Sequence, residues 1–99
     1  MTLPPLPPAE LEMMRSVFRR HPEIQTVKLF GSRAKGTHTV RSDVDLALWG
    51  EVDSLRVEQI AAELDELPLP YQYDAKHFES ITLRPLREHI ERVGITVYP

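Results

Sequence analysis

The feature that most constrains this chain is a fixed spacing: Gly31-Ser32, ten intervening residues, then Asp43-Val44-Asp45. Side chains on a strand alternate between its faces, so Asp43 and Asp45 are expected on one side and Val44 on the other, toward a core. Two carboxylates that close raise each other's pKa and repel unless a cation sits between them. Hard oxygen donors with positions left open for phosphate oxygens suit Mg²⁺ or Mn²⁺. Upstream, Val27-Lys28-Leu29-Phe30 reads as a strand that ends at Gly31, where a missing side chain permits a sharp turn and close approach of a phosphate. If Arg33-Ala34-Lys35 opens a helical turn, its first amides, the Ser32 hydroxyl and the positive end of the dipole face one anion. The run therefore reads as a phosphate cradle joined to a metal site.

Local charge supports that reading against the background of the whole chain. Arg33, Lys35 and Arg41 are cationic and no acid interrupts them, whereas the 99 residues together carry a net charge of −3. A pI of 5.8 argues against a general nucleic-acid surface, which needs a basic stripe to meet phosphates. His21, His38, His77 and His89 show no ligand spacing, and surface or half-buried packing is expected for each.

The remaining sequence alternates helix and strand without repeat or linker. Residues 1–7 form a proline-rich extended lead-in, and Pro8 suits the first turn of a helix that carries Leu11, Met14, Val17 and Phe18 inward. Ile24 to Phe30 is the first strand and Asp43 to Trp49 the second. A helix from Ser54 to Leu67 places Val57, Ile60, Ala61 and Leu64 on one stripe, and the prolines after Leu67 stop it. Tyr71 to Phe78 supplies a third strand bearing Asp74. Thr82 is expected to cap a helix with Leu83, Leu86, Ile90 and Val93 on its apolar side, Gly94 to end it, and Ile95 to Tyr98 to form a last strand. The expected fold class is α/β (α+β), a small mixed sheet flanked by helices.

With these residues in view, the chain resembles the minimal nucleotidyltransferases of the polymerase-β-like superfamily, whose signature is Gly-Ser, ten residues, Asp-x-Asp, and a third carboxylate on a later strand. The resemblance covers nearly the whole chain and implies a palm-like nucleotidyltransferase fold. It implies that Asp43 and Asp45 hold a nucleotide-associated metal, and that Asp43, Asp45 and Asp74 together hold a second, so that two Mg²⁺ or Mn²⁺ ions serve as cofactors with ATP as substrate. Gly31 and Ser32 would hold the β and γ phosphates, and Arg33 or Lys35 would stabilise charge on the phosphoryl oxygens. In this family a HEPN-type toxin is the typical partner, and transfer of AMP to a tyrosine of that toxin would make the chain an antitoxin. Two alternatives stay open: a binding module that masks its partner by contact alone, and a small-molecule nucleotidyltransferase whose acceptor site forms between subunits of a homodimer.

Length and composition set the wider expectations. Ninety-nine residues are expected to make a single domain, 1–99, with room for a catalytic palm and a surface completed by a partner. The absence of cysteine, of a long apolar run and of a basic-apolar leader points to a cytoplasmic protein without a membrane span. Six acidic residues between Glu51 and Glu66 face the single basic Arg56, an arrangement that suits either a solvated helix face or docking of a basic partner.

Overall fold

The computed structural model describes residues 6–37, 39 and 42–99. Their order is α1 (Pro8–Phe18), β1 (Ile24–Phe30), α2 (Ser32–Lys35), β2 (Val44–Gly50), α3 (Ser54–Asp65), β3 (Tyr73–His77), a 3₁₀ turn (Phe78–Ser80), α4 (Arg84–Val93) and β4 (Ile95–Tyr98). Among the described residues the sheet has four strands in the order β3-β2-β1-β4. β1 pairs antiparallel with β2 and with β4, while β2 and β3 run parallel. The parallel pair follows from the crossover: α3 occupies the connection and returns the chain to the same end of the sheet. The expected mixed sheet flanked by helices is what forms.

Each face of the sheet carries its own apolar cluster, because alternation along β1 and β2 sends successive residues opposite ways. Val27, Leu29, Val44, Leu46 and Leu48 meet Met14, Val17 and Phe18 of α1 and Ile60 and Leu64 of α3. On the other face Phe30 and Ala47 meet Ile90 of α4 and Phe78, with Trp49 stacked on Phe78 at 4.4 Å between ring centroids. Burial of a large apolar side chain contributes about 1.5–3 kcal/mol, so both clusters add to stability. The second also fixes α4 beside the polar end of β2. Leu6, at the end of the lead-in, is buried in the first cluster; residues 1–5 of that lead-in lie outside the described residues.

Several boundaries differ from the sequence expectation. β2 begins at Val44, so Asp43 stands immediately before the strand. α3 ends at Asp65, and Leu67 closes a turn by donating its N–H to the Leu64 carbonyl at 3.0 Å. Thr82 does not cap α4, whose N-cap is Leu83 with no side-chain bond. Pro85 fits a first turn that starts at Arg84, and Arg87 holds the preceding corner by donating to the carbonyls of Phe78 and Ile81 at 3.1 and 3.0 Å. Leu83 is accordingly exposed rather than part of the apolar side of the helix.

His21 overturns the expectation of a surface or half-buried packing histidine. It is 2% exposed and, in the turn after α1, where its N–H donates to the Phe18 carbonyl at 3.0 Å, joins the end of that helix to α3. Arg56 Nη1 lies 3.1 Å from its Nδ1, and a guanidinium can only donate, which assigns the ring proton to Nε2. Nε2 then donates to the Glu63 carboxylate at 3.1 Å. Glu63 also accepts from Arg20 at 3.3 Å, and Asp53 caps α3 by accepting the Arg56 N–H at 2.8 Å. Two of the six acids expected on a free face are therefore engaged within the fold. His77 bonds the Gly50 carbonyl and Ser80, and His89 meets the Phe30 ring edge-on. His38 lies outside the described residues.

Candidate active site

The site is built where β1 ends and β2 begins. Gly31 follows Phe30 with φ 76° and ψ −153°, a region of backbone space that is essentially glycine's alone. A Cβ on Gly31 would stand 2.2 Å from Oδ2 of Asp45. The missing side chain therefore admits a carboxylate of the neighbouring strand, an effect that comes in addition to any closeness of a phosphate. Phe30 and Asp45 are register partners in the β1–β2 pair, which is why the corner and the carboxylate meet.

One helical turn, α2, leaves this corner. Ser32 is half-buried at its start, Lys35 is exposed at its end, and the Lys35 N–H donates to the Gly31 carbonyl at 3.1 Å. The turn closes at Gly36 in the left-handed region, as a helix C-terminus prefers. Arg33 does not stand out into solvent. It is 5% exposed, donates from Nη2 to the Ser42 carbonyl at 3.0 Å and to the Thr39 carbonyl at 3.5 Å, and lies 4.7 Å from the Tyr71 ring centroid. Its guanidinium thus fastens the loop that leads into Asp43. Thr39 N–H donates to Ser42 Oγ at 2.9 Å and tightens the same loop. Arg41 lies outside the described residues.

β3 brings the third carboxylate. Val44 N–H donates to the Gln72 carbonyl at 2.9 Å, and the parallel register then sets Asp45 opposite Asp74. Asp43 precedes Asp45 by two residues. Burial, then the charges of Asp74 and Asp43, raise the Asp45 pKa above the ordinary aspartate value, with Lys76 and His89 acting the other way. Among the described residues no group of three or more His, Cys, Asp or Glu is drawn together at metal-ligating distance. Asp45 and Asp74 nevertheless face each other as like charges beside a glycine corner, and hard anionic donors in that state fit a divalent cation, whose charge removes the repulsion.

The structure also adds residues that motif spacing passed over. Lys76 forms an ion pair with Asp74 at 3.3 Å, and the i, i+2 relation on β3 is a signal that placed it on this face. His89 comes from α4, so only the tertiary fold brings it near Asp45. Tyr71 is similar: it stacks on Arg33 and donates its hydroxyl to Glu10 of α1, a meeting of three distant segments. Tyr73 points to the opposite side, where burial, then Tyr71, Asp65 and Glu10, push its pKa up to about 12.

A mixed sheet flanked by helices, with a glycine corner against paired aspartates, defines the palm of the polymerase-β-like nucleotidyltransferases. The chain matches the family described as polymerase beta, nucleotidyltransferase over residues 12–99, and it belongs to that family. No curated protein matches the sequence. Among solved structures, a chain of a toxin–antitoxin crystal structure with AMP-PNP superposes with a TM-score of 0.76 at 23% identity, covering 89% of this chain and 72% of its own. A rebuilt and re-refined structure of the tri-AMPylated Shewanella oneidensis HEPN toxin in complex with MNT antitoxin gives 0.70 at 19% identity, over 91% and 70% of the two chains. A nucleotidyltransferase structure from Sulfolobus solfataricus gives 0.55 at 17% identity, over 87% and 73%. At these identities the likeness is one of fold.

Proposed function

We propose that this chain transfers AMP from ATP to a hydroxyl of a HEPN-type toxin and acts as its antitoxin. The observation that carries the reading is the Asp45–Asp74 register beside Gly31, which sets two carboxylates face to face within a nucleotidyltransferase fold. Among proteins of the same fold, the AMP-PNP complex and the tri-AMPylated HEPN toxin support the choice of nucleotide and acceptor.

In this reading Asp43, Asp45 and Asp74 hold two Mg²⁺ or Mn²⁺ ions, which when bound supply charge neutralisation at the phosphates and a lowered pKa for the attacking hydroxyl. Gly31 leaves space at the corner, and the Ser32 hydroxyl and the first amides of α2 bind the β and γ phosphates. Lys35, exposed at the end of the same turn, meets the phosphate tail. Arg33 acts by holding the carbonyls of Thr39 and of Ser42, the residue before Asp43, and so positions Asp43. Asp74, half in solvent, takes the proton from the acceptor hydroxyl as it attacks the α-phosphorus and pyrophosphate leaves. The acceptor hydroxyl comes from a partner protein that docks against this face. The whole of 1–99 acts as one domain in this account.

The experiment is incubation of the purified chain with α-labelled ATP, Mg²⁺ and the product of its neighbouring gene. Label on a tyrosine of that protein is the expected result. Label on a small molecule, or none with toxin activity still masked, would replace the reading by one of the two alternatives.

A further inference from the structure

Lys76 is a cation that the fold itself places beside the carboxylates, through its ion pair with Asp74. Its ammonium stands 3.3 Å from Oδ1 of Asp74, and the two side chains are 39% and 49% exposed. An ion pair this open adds little to stability, so its consequence is local charge rather than folding. That charge reaches further than Asp74. Asp74 is the register partner of Asp45, and Lys76 stands two residues on along β3, on the same side. Lys76 opposes the effect of Asp74 and Asp43 on Asp45. One ammonium thus serves two facing carboxylates.

Resting on the function proposed above, we propose that Lys76 is a positioning residue: the resident counter-ion of the Asp45–Asp74 face, which a divalent cation must displace and which then turns to the phosphate of the bound nucleotide. A bare ion arriving at this face meets a like charge beside its ligands. A cation that arrives with a triphosphate brings a new partner for the ammonium, so the displaced charge is not left without one. Lys76 in this way disfavours the bare ion and favours the ion–nucleotide pair, and loading of the site becomes ordered by the nucleotide.

The test compares wild type, Lys76→Gln, Lys76→Arg and Asp45→Asn by titration with Mn²⁺ alone, read by the loss of free-ion paramagnetic resonance, and with Mn²⁺ plus AMP-PNP, read by calorimetry. Neither readout needs turnover. Removing one positive charge from beside a dication should tighten Mn²⁺ binding about tenfold at low salt, with the gap narrowing as salt is added. The same variant should bind Mn²⁺–AMP-PNP about three- to tenfold more weakly, and Lys76→Arg should follow wild type in both. A merely structural lysine would shift both affinities in the same direction. Unchanged or weaker Mn²⁺ binding by Lys76→Gln, with binding still sensitive to Asp45→Asn, overturns this proposal and leaves the proposed function standing. Binding that ignores Asp45→Asn in every variant overturns both.

Discussion

Gly31 and Asp45 are the residue pair on which the site depends. With φ 76° and ψ −153°, and Oδ2 of Asp45 2.2 Å from a built Cβ, Gly31→Ala is strained in backbone and in contact. It should destabilise the fold by about 1–3 kcal/mol and weaken nucleotide binding by moving Asp45. Gly36 is the internal control: its φ is 79° but nothing lies within 4 Å of its built Cβ. Gly36→Ala should therefore cost about 1–2 kcal/mol from backbone strain alone, less than Gly31→Ala, and spare nucleotide affinity. Equal losses in the two variants, measured by denaturant unfolding and AMP-PNP titration, would contradict this account of the corner. Motif spacing was enough to single out Gly31, Ser32, Asp43 and Asp45, because alternation on a strand and turn chemistry are local. It could not disclose that Gly31 makes room for a carboxylate, nor that Arg33 turns inward to Ser42, since both depend on segments that meet only after folding.

At the scale of elements, α1 and α3 are tied by His21 and Glu63. Burial raises the Glu63 pKa, but the bonds from His21 and Arg20 outweigh it and leave the group below the ordinary glutamate value. A folded-state pKa below the unfolded one gives stability that is complete above the unfolded value, about 4.3 for glutamate, and lost as pH falls through the folded value. Glu63→Gln should remove that part of the acid dependence and lower stability by about 1–2 kcal/mol at neutral pH. Thermal unfolding between neutral pH and strong acid checks it, and parallel curves for the two proteins would show that the contact is idle. The helical stripes of α1 and α3 were legible because a 3.6-residue period is a local signal. The start of α4 was not, since Pro85 and the Arg87 bonds to Phe78 and Ile81 decide it over the Thr82 hydroxyl. Charge counting along Glu51 to Glu66 likewise does not see that Asp53 caps α3 and that Glu63 pairs with His21.

Across the described residues, two helices cover one face of the sheet and α4 packs on the other, while Asp43 and Asp74 are exposed and Asp45 is half-buried. No helix of the described residues is long and apolar enough to cross a membrane. That exposure suits the proposed transfer to a hydroxyl of another protein, whose acceptor would reach the α-phosphorus from outside. The strand order β3-β2-β1-β4 could not be read from the sequence, where the elements appear only in chain order; it is set by the α3 crossover and by the return of β4 to the free edge of β1. The central claim is that the facing carboxylates of β2 and β3 bind a divalent ion together with ATP. Its most direct test is the thermal shift given by Mg²⁺ and AMP-PNP to wild type and to Asp45→Asn, with circular dichroism first establishing that both are folded. Without ligand Asp45→Asn should be as stable as wild type or more so, because it relieves a half-buried charge among like charges. With ligand present at about 100 times its Kd, wild type should gain about 2.7 kcal/mol and Asp45→Asn little; equal gains in the two proteins would contradict the claim.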